Sequence, residues 1–164
     1  MTSAELLRPI GRTRVMGVIN VTPDSFSDGG RWLDPQTAIK HGAALVADGA
    51  DLVDVGGEST RPGAIRIDAE EELRRIIPVV KGLVADGVNV SVDTMRADVA
   101  EQALAAGASL INDVSGGRAD PRMIDVAVES GSPIVLMHWR GHSDGMQNLT
   151  HYDDVVQDVV RELS

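Results

Sequence analysis

Polar side chains recur in this chain at one kind of position, the end of a short apolar run. Asn20 closes Met16-Gly-Val-Ile-Asn20, and Asp54 sits inside Asp51–Gly57. Asp93 closes Asn89–Asp93, Asn112 and Asp113 fall within Ser109–Val114, and His138 closes Pro133–His138. A carboxylate or carboxamide in an apolar run is costly unless it finds hydrogen-bond partners. A lone strand-end Asp is as often a loop cap as a functional group, but five such coincidences in register point to one shared polar site. Two loops reinforce this. Thr22-Pro-Asp-Ser-Phe-Ser-Asp-Gly-Gly30 and Glu58-Ser-Thr-Arg-Pro-Gly63 are polar, glycine-bearing and longer than neat connections require. Phe26, the only phenylalanine, lies in the first of them, as expected of a lid that folds over a ligand. Arg61 in the second offers a guanidinium fork for an anion. No Ser/His or Cys/His machinery for nucleophilic catalysis is evident.

These residues need a scaffold that brings strand ends together. The runs Val15–Val21, Asp51–Gly57, Asn89–Asp93, Ser109–Val114 and Pro133–His138 are almost continuously apolar, which suits strands buried on both faces of a parallel sheet. Amphipathic stretches alternate with them. Asp34-Pro35 and Asp120-Pro121 place an N-cap before proline at the first helical position. Asp68 and Glu71 resemble a capping box ahead of the stripe Leu73, Ile76, Ile77, Val80 and Val84, with Pro78 expected to kink that helix rather than end it. Val99, Ala103 and Ala106 mark a third helix, and Val156, Val159, Val160 and Leu163 a last one. Gly49, Gly87, Gly107 and Gly131 each separate a helix from the next strand, where a left-handed residue closes the helix.

Alternating units of this kind build a parallel α/β protein. Across the 150 residues from Val15 to Ser164 the five units average 30 residues each. Eight such units would reach the roughly 250 residues typical of a (β/α)₈ TIM barrel. A doubly wound open sheet of five strands is the structural alternative, although its first turn would ordinarily be a glycine-rich phosphate loop, and here that turn reads Asn20-Val-Thr-Pro-Asp24. No linker or low-complexity tract divides the chain, so residues 1–164 read as a single domain.

Composition excludes several classes. With 43% apolar and 24% charged residues the chain is too hydrophobic to be disordered. The absence of cysteine excludes a disulfide scaffold, thiolate zinc and thiol catalysis. A net charge of −10 without a basic stripe argues against nucleic acid and anionic lipid. No apolar run approaches the roughly 20 residues of a membrane span, and the first residues lack a signal-peptide pattern, so a cytoplasmic protein is expected.

The segments Met16–Gly30 and Asp54–Ala64, together with Ser91-Val-Asp-Thr94, Ile111-Asn-Asp113 and Leu136-Met-His138, resemble the signatures of the dihydropteroate synthase family. The resemblance covers nearly everything from Val15 onward. It implies a (β/α)₈ barrel of the pterin-binding kind that condenses (7,8-dihydropterin-6-yl)methyl diphosphate with 4-aminobenzoate, giving 7,8-dihydropteroate and diphosphate. Carried over by motif, Asn20 would help hold Mg²⁺ and the diphosphate. Asp93 and Asn112 would hydrogen-bond the pterin, Met137 would line its pocket, and Asp54 would support it from the second strand. Thr60 and Arg61 would approach substrate from the second loop, Arg61 among the catalytic residues. Phe26 and Asp28, also catalytic, would close around the aminobenzoate and the reacting carbon. There Asp28 could stabilise the cation left on the pterin methylene. His138 would be a pocket residue rather than a general base. The family is typically homodimeric.

The family pattern continues beyond the fifth unit with an Asp-Pro-Gly strand end, a Ser-Arg-Lys motif and an Arg-x-His segment, none of which occurs here. The reading is therefore a barrel truncated after its fifth β/α unit, with no turnover expected of these residues by themselves. Two rivals stand beside the synthase. One is a pterin-dependent methyltransferase barrel, which also uses strand-end Asp and Asn. The other is a non-catalytic pterin-binding paralogue or remnant.

Overall fold

The computed structural model describes residues 8–22, 34–59, 61, 64, 66–142 and 144–164. Its strands are β1 (Met16–Asn20), β2 (Leu52–Gly56), β3 (Val90–Asp93), β4 (Leu110–Asp113) and β5 (Ile134–Leu136). Its α-helices are α1 (Pro35–Ala47), α2 (Ala69–Ala85), α3 (Ala97–Ala105), α4 (Met123–Ser130) and α5 (Val155–Leu163). All strand pairs are parallel, and the order across the sheet is the order along the chain. A doubly wound sheet must reverse direction at a switch point, so sequential order rules that alternative out. It is the order of a (β/α)₈ barrel.

Alternation along each strand sorts the side chains onto two faces. Ile19, Val53, Val55, Val90, Val92 and Ile111 point to the helices, where they form one core with Ile76, Val79, Val80, Leu83, Val99, Ala103 and Met123. The opposite, inner face carries Met16, Val18, Asn20, Leu52, Asp54, Ser91, Asp93, Leu110, Asn112 and Val135. Every polar strand-end residue singled out in the sequence except Asp113 and His138 belongs to this inner face.

The helix starts follow the capping logic, with two exceptions. Asp34 accepts from the Gln36 N–H and Asp68 from the Glu71 N–H, so α1 and α2 begin where expected. Glu71 does not close a capping box: its carboxylate binds Arg74 and Arg75 instead. α2 continues through Pro78 to Ala85. Asp120 does not cap an α4 starting at Pro121, because that helix begins at Met123. One carboxylate oxygen of Asp120 accepts from the Arg122 N–H, and the other accepts from the Ala97 N–H at the start of α3. The four inter-unit glycines do take positive φ, from +65° to +113°.

The last helix departs most from expectation. Its apolar stripe is not buried: Val155, Val156, Val160 and Leu163 are exposed, and Asp158 is its one buried residue. An amphipathic helix stays unburied on its apolar side when nothing packs there.

Candidate active site

Strand register builds the site in two rows. Val18, Asp54, Ser91 and Leu110 are successive partners in the lower row. Asn20, Gly56, Asp93, Asn112 and Val135 form the upper row, at the C-terminal ends of the strands. Parallel strands share that end, which is why barrel active sites lie there.

Gly56 fits between its neighbours because it has no side chain. A Cβ there would lie 3.1 Å from the Asp93 carboxylate, so glycine lets Asp93 lean across β2. Below it, Asp54 is 3% exposed, and its Oδ2 accepts from the Asn112 amide at 3.0 Å. Its Oδ1 and the Ser91 hydroxyl are both buried without a hydrogen-bond partner. Buried polar atoms without a well-aligned partner are uncommon; these two belong to register partners on β2 and β3, where the Ser91 hydroxyl acts on the Asp54 carboxyl.

The electrostatics follow from crowding. Burial raises the Asp54 carboxyl above its ordinary range, opposed by the dipoles of Ser91 and Asn112. Burial, with repulsion from Asp54, Glu72, Asp113 and Glu58, pushes Asp93 up to about 7. Two carboxylates and a carboxamide on one surface can read the amino and ring N–H groups of a heterocycle.

Of the residues singled out in the sequence, Asp54, Asp93 and Asn112 are brought together, and Asn20 stands exposed at the end of the same upper row. Arg61 is exposed in the segment after β2, and Met137 is exposed just beyond β5. His138 is half-buried, with Nε2 2.7 Å from the Glu162 carboxylate on α5. Phe26, Asp28 and Thr60 lie outside the described residues.

Asp113 faces away from this surface. It is fully buried, and it accepts from the Ser115 N–H and hydroxyl and from the Gly117 N–H, at 2.7–2.8 Å. It builds the turn after β4.

Sequence reasoning missed one cluster. Glu58, just past β2, accepts from Arg96 at 2.9 Å, from Arg66 at 3.1 Å and from the Ile67 N–H at 3.3 Å. Arg96 also binds Glu72 and the Ile67 carbonyl, and the Thr94 hydroxyl donates to Glu72 at 2.7 Å. A signal was present: Glu72 lies four residues before Ile76, so it interrupts the buried stripe of α2 with a charge.

Against that geometry, the sequence profile of the pterin binding enzymes matches residues 16–164. This chain belongs to that family. Within it, dihydropteroate synthase of Mycobacterium leprae is 59% identical over 151 residues, which are 92% of this chain and 53% of that protein. The Synechocystis dihydropteroate synthase is 48% identical over 149 residues, 90% of this chain and 52% of that one. Among solved structures, Xanthomonas albilineans dihydropteroate synthase with 4-aminobenzoic acid superposes with a TM-score of 0.81 at 51% identity, covering 92% of this chain and 53% of that one. The same enzyme in complex with 7,8-dihydropteroate superposes at 0.78 and 45% identity, covering 94% and 53%. This chain thus spans about half the length of the relatives it matches. Its five units align with part of their TIM barrel.

Proposed function

We propose that these residues supply the pterin side of a dihydropteroate synthase, which joins (7,8-dihydropterin-6-yl)methyl diphosphate to 4-aminobenzoate. The observation that carries the reading is the inner-face group of Asp54, Asp93 and Asn112, with Asp54 Oδ1 and Ser91 Oγ buried without a well-aligned partner. A pterin offers an amino group, ring N–H groups and a carbonyl on adjacent atoms, the complement of two carboxylates and a carboxamide. Held there, its methylene would sit toward the upper row and the loops after β1 and β2.

The reaction on this reading is a substitution. The aminobenzoate nitrogen forms a bond to the pterin methylene, the carbon–oxygen bond to diphosphate breaks, and the nitrogen gives up a proton. An aromatic amine needs no strong base for this. Asp93 and Asp54 favour positive charge developing on the pterin. Arg61 would meet an anion on this reading, and Phe26, Asp28 and Thr60 belong to it by motif. Met137 would line the pocket beyond β5, whereas His138, expected there from the motif, lies off the inner face and binds Glu162 of α5.

Mg²⁺ belongs to the reading as well. Among the described residues no three His, Asp or Glu side chains gather to cage a metal. Asn20 offers one exposed carboxamide oxygen, which fits an ion that takes its other ligands from water and substrate phosphates. Bound beside Asn20, it would neutralise the departing diphosphate. A cytoplasmic homodimer is the setting the family resemblance implies. No helix among the described residues is long and apolar enough to cross a membrane.

The test joins this chain at Ser164 to the remaining half of the Mycobacterium leprae relative and follows diphosphate release. Release that needs both substrates, and falls when Mg²⁺ is chelated, is the expected result. A folded joined protein that binds pterin but releases no diphosphate would overturn the synthase reading.

A further inference from the structure

Arg96 sits three residues beyond Asp93. Its guanidinium reaches Glu72 of α2, Glu58 just past β2, and the Ile67 carbonyl. Its own N–H donates to Thr94 Oγ1 at 3.2 Å, and that hydroxyl donates to Glu72. Glu58 in turn accepts from the Arg66 side chain and the Ile67 N–H. One side chain therefore joins the end of β3 to both flanks, 58 and 66–67, of the segment that carries Arg61. Glu72 is 1% exposed and Glu58 9%, so both charges are held out of water. Buried ion pairs of this kind contribute little net stability compared with apolar packing, whereas their planar, forked geometry fixes relative position.

We infer that Arg96 is a positioning residue for this site, setting the Arg61 segment against Asp93 and balancing the carboxylates of Glu72 and Glu58. The consequence for substrate rests on the synthase reading; the consequence for geometry and charge does not. Asp93 has Asn112 beside it on β4 and feels the charges of Asp54 from β2, Glu72 from α2, Asp113 from the helix-facing side of β4 and Glu58 from the loop after β2; Arg96 pairs with both Glu72 and Glu58, and Arg66 with Glu58. Without Arg96, Glu72 keeps no ion pair among the described residues and Glu58 keeps Arg66 alone, so more negative charge acts on Asp93, which holds its proton to higher pH.

The experiment compares Arg96→Met, Arg96→Lys and Glu58→Gln in this chain by two readouts that need no substrate: amide exchange at Ile67 and the titration midpoint of the Asp93 carboxyl by NMR. Arg96→Met should speed Ile67 exchange by about tenfold or more, the equivalent of one charge-assisted hydrogen bond, and move the Asp93 midpoint upward. Arg96→Lys should return the midpoint while leaving exchange fast, because an ammonium restores the charge but not the fork. Should Arg96→Met fail to fold, Glu58→Gln removes half of the clamp at nearly constant volume and should still speed Ile67 exchange. Unchanged exchange and an unchanged midpoint would overturn the inference. In the joined protein, Arg96→Lys should raise KM about tenfold with a smaller effect on kcat. An unchanged KM for both substrates would overturn the positioning role even if the clamp itself were real. A joined protein without any condensation would instead refute the synthase reading, leaving the two substrate-free readouts to decide the role of Arg96.

Discussion

Asp93 shows what a buried carboxylate costs its protein. Its folded value of about 7 stands well above the ordinary 3.8, because burial and neighbouring carboxylates disfavour the charged form. The folded state therefore holds this proton more tightly than the unfolded chain does. Stability contributed by the protonated group is complete below pH 3.8 and is lost as pH rises through about 7. Denaturant midpoints measured from pH 4 to 8 should fall across that window, and Asp93→Asn should flatten the fall. An identical pH profile in the variant would show that Asp93 is not the group responsible. At the same residue, Asp93→Ala in the joined protein should weaken pterin binding by about 1.5–3 kcal/mol, the range for a hydrogen bond to a charged group. Calorimetry giving an unchanged affinity would remove Asp93 from the pocket.

At the scale of elements, the loop after β4 does two jobs with two aspartates. Asp113 ties its own turn through Ser115 and Gly117, and Asp120 reaches across to the first N–H of α3. The residue before that helix, Arg96, provides no side-chain cap of its own, being committed to Glu58 and Glu72. Asp120 thus fills the capping role from a distant part of the sequence. Asp120→Ala should destabilise the fold by about 1–2 kcal/mol, as loss of an N-cap does, and Asp120→Asn should retain most of that stability. Chemical denaturation decides this; a variant as stable as its parent would mean that the Ala97 N–H is satisfied in another way.

At the scale of the whole molecule, β1 and β5 are the edges of the sheet. Met16, Val18, Val135 and Met137 are exposed on or beside the inner face, and Val155, Val156, Val160 and Leu163 along α5. Unpaired strand edges beside exposed apolar side chains favour association with other chains. Residues 1–164 expressed alone should self-associate with rising concentration in sedimentation experiments. They should release diphosphate at a rate lower than the joined protein by a factor of about 10² or more, since each preorganised charged contact is commonly worth that much. A monodisperse monomer with turnover near that of the joined protein would contradict both expectations.

Sequence alone determined the local features of this protein. Apolar runs of five to seven residues specify strands, Asp34-Pro35 and Asp68 specify the starts of α1 and α2, and glycines between units specify where helices close, because each depends on neighbours along the chain. Alternation also placed Asn20, Asp54, Asp93 and Asn112 on a common face once the strands were parallel and sequential. What only tertiary structure decided depends on contacts between residues far apart in sequence. Strand order separated a barrel arrangement from a doubly wound sheet. Asp113 looked equivalent to Asn112 until the pleat turned it toward the helices. Asp120 looked like the cap of its own helix until folding brought it to Ala97, 23 residues earlier. Arg96, Glu72 and Glu58 carried no motif in common, and only packing α2 against the ends of β2 and β3 makes them a clamp. The apolar stripe of α5 was legible as periodicity, but periodicity says that a face is apolar, and only the packed structure says whether that face is covered.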